Sequence, residues 1–118
     1  MTYVDGFVVP LPKKNLRAYL AMAKWGKAMW MKHGALQFFE CVGDDLKQHP
    51  GCGDFRRMAK LKPAETAFFS FIVYKSKAHR AAVNKRVMKE MASVPMPKKF
   101  PFDPKRMAMG GFKTVVQG

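Results

Sequence analysis

The chain has 118 residues, of which 48% are apolar and 13% aromatic, so it can build one compact core but not two independent domains. This composition argues against intrinsic disorder, because burial of aliphatic and aromatic side chains offsets the entropy lost on folding. The formal charge of +14 predicts a strongly basic surface. We therefore expect one basic domain that spans residues 1–118.

The ends and the cysteines of the chain indicate a cytoplasmic location. The first residues lack the basic start and long apolar run of a secretory signal, and the longest apolar stretch, 67–74, is too short to span a bilayer. Cys41 and Cys52 can form one disulfide at most, and nothing else in the sequence suggests export. We expect free thiols and no membrane partner.

The first half of the chain predicts a strand, a helix and a second strand. Residues 2–9 are rich in β-branched and aromatic types, and Pro10 should end the strand. Residues 13–33 have apolar side chains at helical spacing. Residues 35–42 predict the second strand, and residues 47–62, which lack a clear period, predict a long loop.

The second half repeats this pattern. Residues 67–74 are apolar enough for a central strand, and residues 76–91 predict a helix capped by a serine. Four prolines keep residues 94–105 extended or turning. Residues 107–116 predict the last strand, with a bulge at Gly110–Gly111.

The order strand, helix, strand, strand, helix, strand is typical of the α+β class. It predicts the ferredoxin-like split βαβ arrangement (βαββαβ), with one antiparallel sheet and two helices on one face. The other face of such a sheet is apolar and uncovered unless another surface packs on it. We therefore expect a symmetric homodimer joined sheet to sheet.

Several short strings occur in a fixed order along nearly the whole chain. They are Tyr3-Val4-Asp5-Gly6-Phe7-Val8, Lys32-His33-Gly34-Ala35-Leu36, Glu40-Cys41-Val42-Gly43-Asp44-Asp45, Ser76-Lys77-Ala78, Pro101-Phe102-Asp103, Lys105-Arg106-Met107 and Gly110-Gly111-Phe112. Together they resemble the YbaA-like family, also known as domain of unknown function 1428. The resemblance implies a small bacterial cytoplasmic protein with a dimeric α+β barrel, and it implies no known reaction.

The sequence departs from the usual family pattern at three places. They are the loop 47–60, the Tyr74-Lys75 pair and Pro104. A function that depends on these positions does not follow from the resemblance.

Asp5 and Glu40 are acidic residues in otherwise apolar strands. A carboxylate in such a place must be paired with a cation, be desolvated or face solvent, and Arg106 is a candidate partner. With Tyr3 and His33 they could form a cleft for proton transfer or ligand binding. The structural alternative is an ion pair that only stabilises the fold.

The histidines each have a functional and a structural interpretation. His33 ends the first predicted helix, where it could act as a base but also suits the helix C-terminus. His79 lies near the apolar line of the second helix and could face the sheet as a base or as a hydrogen-bonded core residue. The loop from His49 to Asp54 lacks the paired spacing of a zinc site, so we expect no metal and no cofactor.

An apolar pocket is predicted between the first helix and the sheet. Trp25, Trp30, Met22 and Met29 could line it, although ordinary core packing also explains them. We name Tyr3, Trp30 and Arg106 as candidate ligand-binding residues for an unidentified small molecule.

A basic stripe follows the opposite side of the first helix. It could bind nucleic acid through phosphate contacts, or it could be a solvated face. No motif for sequence-specific recognition accompanies it. The stripe consists of Lys13, Arg17, Lys24 and Lys27.

Three functions remain open from the sequence. The first is a homodimeric family member with a small-ligand cleft. The second is an enzyme similar to the cofactor-free or haem-degrading monooxygenases of the same fold, with Asp5, Glu40, His33 or His79 as acid and base. The third is nonspecific binding of RNA or DNA by the basic surface.

Overall fold

The structure is a computed structural model that describes residues 1–95, 97 and 99–118. The strands are β1 (Tyr3–Pro12), β2 (Gln37–Val42), β3 (Glu65–Tyr74) and β4 (Ala108–Lys113). The helices are α1 (Leu16–Lys32), α2 (Phe55–Met58) and α3 (Lys77–Met91), with short 3-10 turns at Lys13–Asn15 and Pro104–Arg106.

The four strands form one antiparallel sheet in the order β2-β3-β1-β4. β1 pairs with β3 along its whole length, from Tyr3 opposite Tyr74 to Pro12 opposite Glu65. α1 and α3 pack on one face of this sheet. The predicted α+β class with a single antiparallel sheet is therefore confirmed.

β1 is longer than the sequence predicted, because Pro10 does not end it. Proline lacks the N–H of a strand residue and is tolerated where a strand has a free edge. β4 pairs with β1 only as far as Val8, so Pro10 lies where β1 has β3 as its single neighbour. The prediction that the strand stops at Pro10 is wrong for this reason.

β4 contains no bulge, and that prediction is also wrong. Gly110 and Gly111 pair in continuous register with Gly6 and Asp5. A side chain at position 111 would collide with Tyr3, because a Cβ there would lie 2.9 Å from Cε1 of the ring. On the other face, the Phe112 ring lies over Gly6, where a Cβ would be only 3.3 Å away. The glycines make room for neighbouring aromatic rings rather than for an extra residue.

The two long helices begin and end close to the predicted positions. The Ser76 side chain accepts a hydrogen bond from the His79 backbone N–H, which confirms the predicted cap of α3. α1 begins at Leu16, after one 3-10 turn, and His33 is its C-terminal cap residue.

The sequence predicts a long irregular loop at 47–62, but part of this segment is helical in the structure. It contains the four-residue helix α2, because the Asp54 side chain accepts hydrogen bonds from the N–H groups of Arg56 and Arg57. Within the segment 94–105, which is predicted to be extended or turning, Met96 and Lys98 lie outside the described residues. Pro104 begins a 3-10 turn there.

The core between sheet and helices consists of two clusters. One surrounds Val83 and Val87 of α3, and the other surrounds Leu11 and Tyr19 near the start of α1. Phe7 packs against both clusters. The helix layer therefore covers the sheet in two patches that meet near Phe7.

The opposite face of the sheet has no helix on it within the described part of the chain. It carries three strongly exposed rings, because Phe39, Phe69 and Phe112 are 42%, 53% and 61% exposed. Phe71 lies between two of them, stacked on Phe39 with a centroid distance of 4.7 Å. We call this surface the open face.

Candidate functional site

A cavity of about 540 Å³ lies between the sheet and the helices. Its volume is in the range of natural small-molecule sites, and its lining is mostly apolar with a few polar groups. Residues of both core clusters contribute to it. The lining side chains include Phe7, Tyr19, Met22, Ala23, Trp25, Trp30, Phe38, Ile72, Met88, Met91, Phe102, Met107 and Met109, together with Asp5, Glu40, Ser70 and Asn84.

The sequence of α1 explains why the gap is not filled. The helix presents Ala23 and Gly26 to the sheet, and both are buried. A Cβ at Gly26 would lie 3.8 Å from Cζ of Phe38, so only a methyl group would fit between this helix position and the ring without displacing it. Larger residues at these two positions would occupy space that is now empty.

Glu40 lies at one end of the cavity, on the helix-facing side of β2. The Tyr19 hydroxyl donates a hydrogen bond to its Oε1 at 2.9 Å, and the Ser70 hydroxyl donates to the same oxygen. Both donors are 4% exposed. Burial raises the pKa of Tyr19, and the Glu40 charge raises it further, so this hydroxyl keeps its proton.

Asp5 lies towards the other end and is 2% exposed. The Arg80 Nη2 atom is 2.8 Å from Oδ1, and Arg80 Nε donates a hydrogen bond to Oδ2 at 3.1 Å. The Oδ1 contact is close but poorly aligned, since Oδ1 has no hydrogen bond within the described residues. The hydrogen bond to Asp5 raises the pKa of Arg80. This carboxylate is therefore paired with a permanent cation.

The Asn84 side chain holds two aromatic side chains in place beside the cavity by hydrogen bonds. Its Oδ1 accepts hydrogen bonds from Trp30 Nε1 at 3.1 Å and from the Tyr74 hydroxyl at 3.2 Å. Burial raises the pKa of Tyr74, and the charge of Asp5 adds to the effect. The polar groups at this end are thus engaged with one another.

Asp5 and Glu40 line one cavity without forming a pair. Asp5 is opposite Ile72, whereas Glu40 is opposite Ser70, and β3 separates the two strands that carry them. Strand spacing and rise place their Cα atoms about 12 Å apart. The structure therefore brings two predicted acidic residues to one cavity but not to one point.

Arg106 is not the partner of Asp5, so that pairing prediction is wrong. Arg106 makes a two-point ion pair with Glu65, at 2.6 Å to Oε2 and 2.8 Å to Oε1, and also donates to the Lys60 carbonyl. This pairing lowers the pKa of Glu65 to about 2. Arg106 is not among the residues that line the cavity.

The two histidines do not line the cavity either. His33 Nε2 is 2.9 Å from the Glu90 carboxylate, which joins the end of α1 to α3. Hydrogen bonds from Lys32 and His33 lower the pKa of Glu90. His79 Nδ1 accepts a hydrogen bond from the Lys75 backbone N–H at 2.9 Å. Both imidazoles have structural contacts at helix ends.

Some of the aromatic and methionine residues predicted to line a pocket do line the cavity, and others lie outside it. Trp25, Trp30 and Met22 line the cavity, as the pocket hypothesis expected, whereas Met29 belongs to the core around α3. Tyr3 lies outside the lining, and its ring receives the Arg80 guanidinium at 5.3 Å from the centroid.

The basic stripe and the cysteines lie on the surface. Lys13, Arg17, Lys24 and Lys27 are all exposed. Cys41 and Cys52 are exposed free thiols. The described ranges, 1–95, 97 and 99–118, contain no cluster of three metal-ligating side chains and no helix long and apolar enough to cross a membrane.

Sequence reasoning missed Arg80, Asn84 and Ser70 as residues of the site. A signal for two of them was present: Arg80 and Asn84 are polar, yet they are one turn apart and beside the buried Val83 and Val87 of α3. Ser70 is a polar residue in the apolar strand β3, where alternation directs it to the helix side.

Comparison with known proteins identifies relatives of similar length. A family model described as "Protein of unknown function (DUF1428)" matches residues 2–104. The proteins named "Uncharacterized protein YbaA" from Escherichia coli strain K12 and from Shigella flexneri are each 37% identical over 116 residues, which is 98% of this chain and 98% of theirs.

A solved structure is loosely similar to the chain. It is called "De novo designed protein Foldit4", and the similarity has a TM-score of 0.45 and 9% identity, covering 99% of this chain and 100% of that chain. A similarity this weak adds nothing to the description of the site.

Proposed function

The chain belongs to the DUF1428 family, and we propose that it is a homodimeric binding protein that holds a small, largely apolar molecule between its sheet and its helices. The observation that carries this proposal is the 540 Å³ cavity, which is lined by aromatic and methionine side chains and contains a few fixed polar groups. The apolar walls of such a cavity offer few hydrogen-bond partners to water. An apolar ligand would displace that water and make packing contacts with the walls.

The fold that we propose is the ferredoxin-like split βαβ arrangement, assembled as a dimeric α+β barrel. The strand order β2-β3-β1-β4 supports it, because α1 connects β1 to β2 across β3, and α3 connects β3 to β4 across β1. The two connections leave the open face uncovered by any described helix. A second copy packed on that face would complete the barrel.

The exposed rings on the open face support this dimer. Phe39, Phe69 and Phe112 are large and strongly exposed. Phe39 and Phe69 both pack on Phe71, and the Phe112 ring lies over Gly6, which is opposite Phe71. Apolar patches of this kind on a small protein mark interaction surfaces. A two-fold axis parallel to the sheet and just outside the open face would bring the patch against its own copy, as an isologous interface requires.

Mass measurement tests the dimer directly. Phe69→Glu should convert a dimer, at twice 13.4 kDa, to a monomer in light scattering coupled to size exclusion. Met58→Glu is the matched control, because Met58 is 69% exposed on α2 and away from the sheet. A wild-type monomer, or a Phe69→Glu dimer, would overturn the dimer proposal.

The cavity supports binding better than catalysis. Asp5 forms an ion pair with Arg80. From strand spacing and rise, the Cα atoms of Asp5 and Glu40 are about 12 Å apart. General acid and base groups must both reach the reacting atoms. His33 and His79 make contacts outside the cavity. The monooxygenase-like alternative therefore receives no support from the placement of its candidate residues.

Native mass spectrometry of protein purified at high salt tests the binding function. We expect a retained small molecule, or saturable binding of an apolar dye that changes the fluorescence of Trp25 and Trp30. Ala23→Leu fills the cavity from α1 and should abolish both signals while leaving the subunit number unchanged. Binding that Ala23→Leu does not reduce would place the ligand elsewhere and overturn the proposal.

A second candidate is weak, nonspecific binding of nucleic acid by the basic stripe on α1. Its support is that Arg17, Lys24 and Lys27 are exposed on α1, which has no acidic residues, and that Lys13 is exposed in the 3-10 turn before it. Such binding should fall steeply with salt because it releases counterions. Fluorescence anisotropy with a duplex, for wild type and a Lys24→Glu/Lys27→Glu variant, tests it. Absent or salt-insensitive binding would end this candidate.

A further inference from the structure

The charged residues around the cavity indicate the chemical class of the ligand. We propose that the cavity binds a protonated amine attached to an apolar body, and that Glu40 is the residue that binds the ammonium group. This inference rests on the proposed binding function and specifies the chemistry of the ligand. It depends on how Glu40 differs from the other poorly exposed carboxylates.

Three other carboxylates have a cation within hydrogen-bond distance. Asp5 has Arg80 at 2.8 Å, and Glu65 has Arg106 at 2.6 Å. Glu90 has Lys32 and His33, both at 2.9 Å. Glu40 has no basic partner among residues 1–95, 97 and 99–118. In a chain with 22 lysine and arginine residues, it is unusual for an acid in this position to have no cation among the residues that the structure describes.

The hydrogen bonds of Glu40 leave one oxygen for a ligand. Tyr19 and Ser70 both donate to Oε1, and no described residue donates to Oε2. A carboxylate has about four acceptor positions, so two donors do not saturate it. The two buried hydroxyls hold the group in one orientation while its second oxygen stays available. An ammonium group would supply the missing donors and the opposite charge.

The walls next to Glu40 suit the rest of such a molecule. Tyr19 is packed against Phe102, with ring centroids 5.8 Å apart, and Phe38 is the next residue of β2 on the same face. Aromatic faces attract cations, especially where water is scarce. A carboxylate ligand would be repelled by the charge of Glu40. The site therefore favours cations over anions despite the positive charge of the whole protein.

The size of the cavity sets the size of the apolar body. A dry cavity of about 150 Å³ accommodates one benzene ring. The cavity here is about 540 Å³. The ligand class is therefore an arylalkyl or similarly bulky amine, larger than a single ring with a short chain.

A matched series of three probes tests the proposal. The probes are 2-(1-naphthyl)ethylamine, 2-(1-naphthyl)ethanol and 3-(1-naphthyl)propanoate, titrated by calorimetry at pH 7 and 150 mM salt. We expect the amine to bind at least tenfold more tightly than the alcohol, and the propanoate to bind least. An alcohol that binds as well as the amine, or a propanoate that binds best, would overturn the amine assignment.

The variant Glu40→Gln gives the decisive comparison. The amide oxygen can still accept from Tyr19 and Ser70, but the charge is gone, so amine affinity should fall at least tenfold and alcohol affinity should change less than twofold. Glu90→Gln makes the same chemical change outside the cavity and should leave all three affinities unchanged. Unchanged amine affinity in Glu40→Gln would overturn the role of Glu40.

The same probes separate failure of this inference from failure of the proposed function. If all three bind equally and Ala23→Leu abolishes binding, the cavity is the binding site and the amine assignment is wrong. If none of them binds to wild type, and the apolar dye does not bind either, both proposals are wrong.

Discussion

Asp5 and Glu40 line the same cavity from neighbouring halves of the sheet, and they differ in what balances their charge. Asp5 is almost fully buried and has the Arg80 guanidinium against it. Glu40 is partly exposed to the cavity and has two neutral hydroxyls on a single oxygen. A buried ion pair whose cation comes from the same chain contributes to a fixed structure. A carboxylate left with an available oxygen is placed to interact with something else.

Removing the cation of Asp5 should have the largest effect. Arg80→Met leaves a buried carboxylate without its partner, which costs about 3–5 kcal/mol of unfolding free energy. Urea denaturation measures this loss, and the double variant Asp5→Asn/Arg80→Met should lose less than the sum of the single changes. A loss under about 1 kcal/mol in Arg80→Met would show that Asp5 does not depend on Arg80.

The ion pair between Glu65 and Arg106 should make the free energy of unfolding depend on pH. Arg106 lowers the pKa of Glu65 from 4.5 to about 2, so the ionised form stabilises the fold. This stability is fully present above pH 4.5 and is lost as pH falls towards 2, by up to about 3 kcal/mol. Urea denaturation between pH 6 and 2.5 should give a smaller decline for Glu65→Gln than for wild type. Parallel curves for the two proteins would contradict the coupling.

Removing one donor to Glu40 should have a moderate effect. Tyr19→Phe deletes the 2.9 Å hydrogen bond and keeps the ring packed against Phe68 and Phe102. A hydrogen bond to a charged group is worth about 1.5–3 kcal/mol, and the accessibility of Glu40 to water reduces this to about 1.5 kcal/mol. Thermal unfolding measures it. A loss as large as that of Arg80→Met would remove the contrast between the two carboxylates.

Removing the charge of Glu40 itself should change stability least. Glu40→Gln keeps an acceptor for Tyr19 and Ser70 and removes a charge that water still reaches, so the free energy of unfolding should change by less than about 1 kcal/mol. The same chemical denaturation assay applies, with Asp5→Asn as the comparison. If Glu40→Gln unfolds the protein, Glu40 has a structural role like that of Asp5.

The elements of the fold were largely predictable because they follow local rules. Ser76 caps α3 where a serine precedes a periodic helix, and β3 is apolar because it lies between two other strands. The predictions at Pro10 and at the β4 glycines were wrong because neighbouring strands and side chains decide the structure there. Pro10 is tolerated because β4 is too short to reach it. Gly110 and Gly111 make room for the rings of Phe112 and Tyr3 rather than for a bulge.

The candidate site was predictable in its acids and not in their partners. Asp5 and Glu40 were recognisable as charges within apolar strands, but the sequence could not assign Arg80 rather than Arg106 to Asp5. That choice depends on where α3 crosses the sheet, and Arg80 is 75 positions away from Asp5 in the chain. Tertiary geometry of this kind has no local signature.

The central position of β1 also has a consequence for how the protein is made. β1 is the first strand to be synthesised, yet it pairs with β3 and β4, and Tyr3 is opposite Lys113. At common rates of translation, about 5–20 s pass between the synthesis of these two partners. For the first part of that interval β1 has neither neighbour, and after β3 has been synthesised the edge that pairs with β4 is still free. Contacts this distant in sequence also form slowly. β1 is therefore exposed to aggregation and to chaperone binding until β4 has left the ribosome.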